Sequence, residues 1–247
     1  MNRHLVIIHL NKIGHTISMQ FNSKYDSVAV VIPAFNEAQR IGKTLEELVK
    51  YFTKIVVVDD GSIDSTVSEV SKLGILAIKH PLNLGQGAAL QTGIEAALLD
   101  PSTTEILTFD ADGQHDINSA LLLIDEIQNS EYDMVLGSRY CKGAKTIDMP
   151  MKKRVILRLA ILFTRFDSGL KVTDTHNGLR IMSREFATSV NIRQHGMAHA
   201  SEILNHVSNT NAKWKEAPVR VTYSEYSKRK GQSVLNSVNI LTELLHK

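Results

Sequence analysis

The stretch EILTFDADGQ, residues 105–114, joins a short apolar run to two carboxylates, Asp110 and Asp112. A run of this kind is typical of a buried strand, and Gly113 lets the chain turn away at once. Side chains two residues apart in a strand point to the same side, so we expect both carboxylates to face one site. Two hard oxygen ligands suit Mg²⁺ or Mn²⁺, which take further ligands from substrate phosphates. Taken alone, Asp-X-Asp is more often a plain acidic turn, so the rest of the chain must decide.

Strands and helices alternate along the chain on both sides of this stretch. The other continuous apolar runs that predict buried strands are residues 28–33, 54–58, 75–78 and 134–137. Between them lie helical patterns, the first with Asn36 as N-cap and Gln39 as its capping-box partner. This alternation predicts an α/β fold with a Rossmann-like, mostly parallel sheet and helices on both faces. In such sheets ligands bind at the carboxyl ends of the strands.

The composition is that of a globular protein, with 43% hydrophobic and 22% charged residues among 247. The formal net charge of +2 gives no argument for a nucleic-acid partner, and positive charge is concentrated after residue 139. Cys141 is the single cysteine, which excludes an internal disulfide and fits a reducing compartment. No segment reaches the roughly 18 apolar residues that crossing a bilayer requires.

Four motifs occur in a fixed order, and together they resemble those of family 2 nucleotide-sugar glycosyltransferases. They are VIPAFNE (31–37), DDGS (59–62), DAD (110–112) and GSRY (137–140). Within the family the chain is most similar to the polyprenyl-phosphate branch, which is dolichyl-phosphate mannose synthase-like. The later segments DTHNGLR (174–180) and KRKGQS (228–233) also match, as does Glu202. The resemblance implies a GT-A type fold, a divalent metal and inversion at the anomeric carbon of the sugar.

The sequence pattern divides the chain into three expected parts. Residues 1–27 form an N-terminal extension of uncertain order, in which Met19 is a second candidate start. Residues 28–232 form the GT-A glycosyltransferase domain. Residues 233–247 form a C-terminal amphipathic helix, which could dock on the domain, lie on a membrane surface or contact a small integral membrane partner.

The donor side of the expected site is a nucleotide-sugar pocket with a metal. Asp110 and Asp112 are the expected metal ligands, with Gln114 added by family analogy, and Asp112 is counted as catalytic because the metal offsets leaving-group charge. A carboxylate at 59 or 60 can accept the imide N–H of uracil or the N1–H of guanine, so the donor is UDP- or GDP-linked. The candidate donor-binding residues are Pro33, Ala34, Asn36, Glu37, Asp59, Asp60, Gly85, Gln86, Asp110, Ala111 and Asp112.

The acceptor side is expected to bind a lipid phosphate, which is nearly dianionic at neutral pH and needs cations rather than a base. Arginine pairs with phosphate through two hydrogen bonds, and Arg139 is also counted as catalytic. The candidate contacts are Ser138, Arg139, Arg154 and Arg229. Arg158 stands where family members often carry a serine. In the predicted helix 151–166 an arginine stripe faces apolar residues, which suits a membrane interface or a core helix with one solvated edge.

These observations predict a metal-dependent inverting hexosyltransferase that moves a sugar from a nucleotide sugar to a polyprenyl phosphate. We expect it to be peripheral on the cytoplasmic, inner face of the membrane. An alternative acceptor is a glycan hydroxyl in surface polysaccharide synthesis, which would need a base such as Glu202 or Asp174. A further alternative is a degenerate GT-A module that binds without catalysing, although the intact Asp110 and Asp112 weigh against it.

Overall fold

The computed structural model describes residues 23–223 as an α/β domain. After a short 3-10 helix at Ser23–Tyr25, its strands are β1 (Val28–Ala34), β2 (Lys54–Asp59), β3 (Ala77–Lys79), β4 (Glu105–Thr108), β5 (Met134–Ser138), β6 (Lys145–Ile147), β7 (Arg180–Ser183), β8 (Trp214–Pro218) and β9 (Arg220–Thr222). Its helices are α1 (Ile41–Leu48), α2 (Thr66–Ser71), α3 (Gln86–Leu98), α4 (Ile117–Gln128), α5 (Met151–Ser168), α6 (Arg184–Ser189) and α7 (His199–Asn209).

A seven-stranded sheet with the order β3-β2-β1-β4-β7-β5-β8 forms the centre of the domain. Its strands are parallel except β7, which runs antiparallel to both β4 and β5. One hydrophobic core packs on each face of the sheet. The prediction of a mostly parallel α/β sheet is confirmed. Strict alternation did not predict β7, which enters the sheet after the long helix α5.

The strand order reverses at β1, and this reversal positions the site. β2 and β3 lie on one side of β1, and α3 carries the chain back to β4 on the other side. Helix α3 packs closely on β1, because a β-carbon on Gly93 would lie 2.3 Å from Cγ1 of Val31. At such a reversal the loops leaving neighbouring strands diverge, and a crevice opens at the carboxyl ends. The loops after β1 and β4 therefore flank a natural binding crevice.

The predicted N-cap at Asn36 is wrong. The first helix begins at Ile41, and the residue before it, Arg40, makes no side-chain cap hydrogen bond. Asn36 instead has a positive φ of 52°, and its Oδ1 accepts a hydrogen bond from the backbone N–H of Ile63. The side chain thus joins the loop after β1 to the loop after β2 and is not available to a helix.

The predicted placement of the two carboxylates within a strand is also wrong. β4 ends at Thr108, so Asp110 and Asp112 lie in the loop beyond it and strand periodicity does not orient them.

The predicted third strand lies slightly later, at Ala77–Lys79. None of the helices between residues 23 and 223 is long and apolar enough to cross a bilayer. The predicted extension, the basic loop with Arg229 and the C-terminal helix lie largely or wholly outside the described residues.

Candidate functional site

A cavity of about 420 Å³ lies at the carboxyl edge of the sheet, beside the reversal at β1. It brings together sequence-predicted residues from both expected halves of the site, donor and acceptor. Those that line it are Pro33, Ala34, Glu37, Asp60, Gln86, Asp110, Ala111, Asp112, Gln114 and Arg139. The motifs are far apart in the chain, so it is the sheet topology that gathers them into one cavity.

Asp110 is held by groups from its own loop, from the start of α3 and from the segment before β7. Nε2 of His115 lies 3.0 Å from its Oδ2, and Nε2 of Gln86 lies 3.4 Å from its Oδ1. Its carboxylate rests on Gly178, where a β-carbon would come within 2.3 Å of both oxygens. Burial alone would raise the pKa of Asp110, but the His115 hydrogen bond and nearby positive charge, including Arg180, outweigh it and lower that pKa. Asp110 is therefore a fixed, ionised carboxylate.

Asp112 lines the same cavity in a different electrostatic state. Its Oδ1 accepts from the backbone N–H of Gln114 at 3.0 Å, and its Oδ2 accepts from the side-chain amide of that residue. Burial raises the pKa of Asp112, and the negative charge of Asp110 raises it further. A cation between these two carboxylates would relieve that repulsion.

The ligand set fits Mg²⁺ or Mn²⁺. Within residues 23–223 no three His, Cys, Asp or Glu side chains converge as a complete metal cage. Two carboxylates with a neighbouring amide on an open cavity are what a hard cation uses when substrate phosphates complete its coordination. Asp110, Asp112 and the amide oxygen of Gln114 would hold such an ion.

Arg139 also lines this cavity, and it forms a buried ion pair with Asp174. Nε and Nη2 of Arg139 donate to the two carboxylate oxygens of Asp174, each at 2.6 Å, and Nη1 donates to the hydroxyl of Tyr223 at 2.9 Å. Burial alone would lower the pKa of Arg139, but the Asp174 charge outweighs it and raises that pKa above its ordinary value. Glu216 in turn accepts the backbone N–H of Asp174 at 3.0 Å.

Lys153 lines the cavity, and it was not among the site residues predicted from the sequence. Its Nζ lies 4.7 Å from the centre of the Tyr223 ring, and no carboxylate of the described residues pairs with it. Burial lowers its pKa, and the charge of Arg139 lowers it further. The predicted Arg154 lines a neighbouring cavity of about 210 Å³, together with Arg139 and Arg158.

Helical spacing was the signal that could have found Lys153. The buried residues of α5 include Leu157, Ala160, Ile161 and Thr164. Residues four apart share a helix face, so the position four before Leu157 faces inward. That position is Lys153, and the residue type alone does not reveal it.

Several predicted site residues lie behind the cavity rather than on its wall. Ser138 is fully buried, and its hydroxyl pairs with that of Thr173 at 2.6 Å. Asp59 is also fully buried, and its Oδ2 accepts the backbone N–H of Ser62. Asp60 does reach the cavity, but its carboxylate also binds the His80 ring at 2.8 Å and the N–H of Gly85 at 2.8 Å. Base recognition by this pair stays a prediction.

Glu202 and Gly85 both contact the same short segment, residues 193–195. Oε2 of Glu202 accepts the backbone N–H groups of Arg193 and Gln194 at 3.0 and 2.8 Å. A β-carbon on Gly85 would lie 2.3 Å from the carbonyl oxygen of His195. The close backbone approach at this turn is therefore to the chain itself, and Glu202 holds the segment that Gly85 packs against. Neither residue is part of the cavity wall.

Three further residues line the cavity, and their roles were not predicted from the sequence: His176, Arg180 and His199. Arg180 is buried, and its guanidinium donates to the carbonyls of Asn177 and Thr175 at 3.0 and 2.8 Å. Burial lowers the pKa of Arg180 to about 10. Burial, then the charge of Arg180, lowers the pKa of His176 to about 3 and that of His199 to about 4. Both histidines are therefore neutral at physiological pH.

The chain is similar in sequence to known proteins over most of its length. The model for glycosyl transferase family 2 matches residues 29–190. An uncharacterised protein of Methanocaldococcus jannaschii is 38% identical over 223 residues, covering 89% of this chain and 91% of the relative. The UDP-N-acetylglucosamine–dolichyl-phosphate N-acetylglucosaminyltransferase of Methanococcus voltae is 31% identical over 239 residues, covering 88% and 94%.

The fold has solved counterparts as well. The crystal structure of glucosyl-3-phosphoglycerate synthase from Mycobacterium tuberculosis, in complex with Mn²⁺ and UDP-glucose, superposes with a TM-score of 0.64 at 20% identity. The match covers 90% of this chain and 78% of that one. It is a likeness of fold, and it confirms the predicted GT-A-like architecture.

Proposed function

Since the chain belongs to glycosyl transferase family 2, we propose that it moves a sugar from a nucleotide sugar to a polyprenyl phosphate. The chain is a glycosyltransferase, and the resemblance to the dolichyl-phosphate branch is confirmed by its relatives. One observation carries the choice of reaction. One cavity is lined both by the carboxylates Asp110 and Asp112 and by the cations Arg139 and Lys153.

The two carboxylates form the donor side. Asp110 is ionised and fixed, and with Asp112 it would hold Mg²⁺ or Mn²⁺ against the donor diphosphate. The bound metal supplies Lewis-acid stabilisation of the charge that develops on the leaving diphosphate. Pro33, Ala34 and Glu37 line the same part of the cavity as walls for the nucleotide. The named donor of the Methanococcus voltae relative, UDP-N-acetylglucosamine, supports this assignment.

The cations in the cavity wall, Arg139 and Lys153, favour a phosphate acceptor. An acceptor phosphate is already a nucleophile at neutral pH, so it needs positive charge and no base. A glycan hydroxyl would need a general base, and the two candidates lack the geometry for it. Glu202 lies behind the cavity wall on backbone amides, and Asp174 is paired with Arg139, whose charge outweighs burial and lowers the pKa of Asp174. This observation supports polyprenyl phosphate over a sugar hydroxyl.

In the proposed reaction an oxygen of the acceptor phosphate forms a bond to the anomeric carbon of the sugar. The bond from that carbon to the diphosphate breaks at the same time, and the nucleoside diphosphate is the leaving group. A single displacement with entry and departure on opposite faces inverts the anomeric configuration. Arg139 and Lys153 bind the attacking phosphate, and the ion pair with Asp174 holds the Arg139 guanidinium in one orientation.

The outer face of α5 is the proposed contact with the membrane. Five large apolar side chains form one exposed stripe, and Phe166 is 91% exposed. They are Met151, Val155, Leu159, Leu162 and Phe166, and we refer to them as the α5 face. Exposed cations, Lys152 and Arg158, lie on the same helix and suit anionic headgroups. We place the enzyme peripherally on the cytoplasmic membrane face, which the single free Cys141 fits.

Thermal melting with nucleotides tests this function. We expect UDP or GDP to raise the melting temperature only when Mn²⁺ is present, and we expect Asp112→Asn to abolish the shift. At a ligand concentration of 100 Kd the stabilisation is about 2.7 kcal/mol, several degrees for a chain of this size. Transfer of a labelled sugar to a short-chain polyprenyl phosphate then tests the acceptor. Nucleotide binding without any transfer would favour a binding module, and transfer only to glycans would favour the hydroxyl acceptor.

A further inference from the structure

We infer that His176 and Asn177 recognise the hydroxyl groups of the donor sugar and so set which sugar the enzyme transfers. This inference rests on the proposed function and names the part of the donor that these two residues bind. Both side chains line the main cavity. Neither is explained by the metal, nucleotide or phosphate contacts described above.

Unpaired buried polar atoms are the first observation. Among the described residues, neither ring nitrogen of His176 has a hydrogen-bond partner, although both are buried. The side-chain nitrogen Nδ2 of Asn177 is buried and unpartnered in the same way, whereas its Oδ1 accepts the backbone N–H of Leu179 at 2.9 Å. Buried polar groups without partners cost free energy, and native proteins keep few of them. These nitrogens are covered, although their residues line the cavity, so they indicate a polar ligand that the His176 and Asn177 side chains reach by rotating toward the cavity.

The kind of hydrogen-bonding atom indicates which ligand. Burial, then Arg180, lowers the pKa of His176 to about 3, so the ring is neutral and offers one N–H donor and one nitrogen acceptor. Asn177 adds N–H donors. A phosphate carries acceptors only, and it would leave the unprotonated ring nitrogen facing another lone pair. A hydroxyl group both donates and accepts, and a sugar carries several side by side.

The position of His176 along its segment locates that sugar. Asp174, two residues before it, is paired with Arg139 on the acceptor side. Gly178, two residues after it, packs against the carboxylate of Asp110, which belongs to the proposed donor side. The charges of both Arg139 and Arg180 act on the His176 ring, so it lies near both halves. A sugar that passes from a diphosphate to an acceptor phosphate lies between the same two sides.

The test separates sugar recognition from nucleotide binding. Calorimetry with Mn²⁺ would give the Kd of the wild type for UDP and GDP, and for UDP-N-acetylglucosamine, UDP-glucose and GDP-mannose. His176→Phe keeps the ring shape and removes both nitrogens, and His176→Gln restores a donor and an acceptor. His206→Phe is the matched control, since His206 bonds Ser189 and packs on Phe186 away from the cavity.

We expect His176→Phe to bind the nucleoside diphosphate within twofold of wild type and the cognate nucleotide sugar about tenfold more weakly, the loss expected for one or two hydrogen bonds. His176→Gln should recover part of that loss, and His206→Phe should match wild type. Equal weakening of nucleotide and nucleotide sugar, or no weakening of either, would overturn the inference. Absence of nucleotide binding by the wild type would remove the proposed function itself, and this inference with it.

Discussion

The carboxylate of Asp110 lies so close to Gly178 that a β-carbon there would come within 2.3 Å of both its oxygens. Just below this contact, Oγ1 of Thr108 donates to the carbonyl oxygen of Gly178 at 2.6 Å. The segment that leads into the antiparallel strand β7 therefore packs directly against the carboxylate of Asp110, the proposed metal ligand. Any side chain at residue 178 would overlap that carboxylate, so this contact requires glycine.

Gly178→Ala should impair metal binding more than stability. The added methyl group displaces the Asp110 carboxylate, and shifts in groups that support a metal ligand typically cost roughly 10–100-fold in metal affinity. We expect such a loss in the Mn²⁺ affinity of the nucleotide complex, measured by calorimetry, with a small change in melting temperature. Gly42→Ala in α1 is the matched control, because its β-carbon would meet only Glu69, at 3.8 Å. Equal Mn²⁺ affinity in both variants would contradict the proposed role of this contact.

The architecture could be predicted from the sequence because it depends on patterns that are local. Continuous apolar runs such as 28–33 and 134–137 are dictated by burial on both sheet faces, and they were found within a residue or two. The position of Asp110, Asp112 and Arg139 at the carboxyl edge of the sheet could be predicted for the same reason, since each follows such a run. The α5 helix was also found, with its last turn two residues beyond the predicted end.

What could not be predicted depends on contacts between distant segments. The antiparallel β7 brings His176 and Gly178 to the cavity, and no local pattern reports that pairing. Asn36 has the residue type of an N-cap, yet its side chain binds Ile63 in another loop. Ser138 and Glu202 have the residue types of ligands, yet they bind neighbouring segments of the chain. Residue type predicts the chemistry available, and the tertiary fold decides which partner receives it.

Asp174→Asn should destabilise the fold strongly. It leaves the buried Arg139 without its counter-charge, and breaking a buried pair in this way costs about 3–5 kcal/mol. Because the charge of Arg139 outweighs burial and lowers the pKa of Asp174, the pair stabilises the fold above the ordinary carboxyl pKa near 4 and loses that effect as the pH falls below it. Urea unfolding at pH 7 should show the full deficit.

The exposed Asp26→Asn is the control for this variant, and it should change the free energy of unfolding by less than about 0.5 kcal/mol. If Asp174→Asn were as stable as Asp26→Asn at pH 7, the ion pair would not be a structural element. A deficit that grew below pH 4 would contradict the sign of the pKa shift.

His199 should make the protein less stable as the pH falls below 6.5. Burial lowers its pKa to about 4, so between pH 6.5 and 4 the unfolded chain binds a proton that the folded chain does not. Each pH unit in that window costs about 1.4 kcal/mol for one such group. His199→Gln removes the titration, so the stabilities of variant and wild type should converge by about 2 kcal/mol between pH 7 and pH 5. A constant difference over this range in denaturant titrations would show that folding does not lower the pKa of His199.

Lys153→Met should lower transfer to the lipid phosphate without lowering stability. A charged hydrogen bond to phosphate contributes about 1.5–3 kcal/mol, which corresponds to roughly a 10–100-fold loss in kcat/KM for the acceptor. Lys153 pairs with no carboxylate in the described chain, so methionine leaves no buried charge unpaired and the melting temperature should hold or rise. The exposed Lys50→Met, which lies outside α5, is the control. Arg154→Met separates the two assignments, because a larger loss there than at Lys153 would favour the contact predicted from sequence.

The α5 face should bind anionic membranes, and its outermost residues should carry that binding. Leu162 and Phe166 are 60% and 91% exposed, so replacing both with serine removes apolar surface without opening the core. Each apolar side chain that enters the interface contributes up to about 1.5–3 kcal/mol, so the double variant should bind vesicles containing phosphatidylglycerol at least tenfold more weakly. Binding of the wild type should also weaken as salt rises, because the cations of α5 are screened.

Leu76 and Leu99 provide the matched control for this double variant. They are 90% and 85% exposed, and they lie outside α5. Replacing both with serine removes a similar apolar surface, so vesicle co-sedimentation should remain at the wild-type level. If the two double variants lost binding equally, exposed apolar area in general would be responsible and the α5 face would have no special role. If neither lost binding, the membrane contact would have to come from another part of the chain.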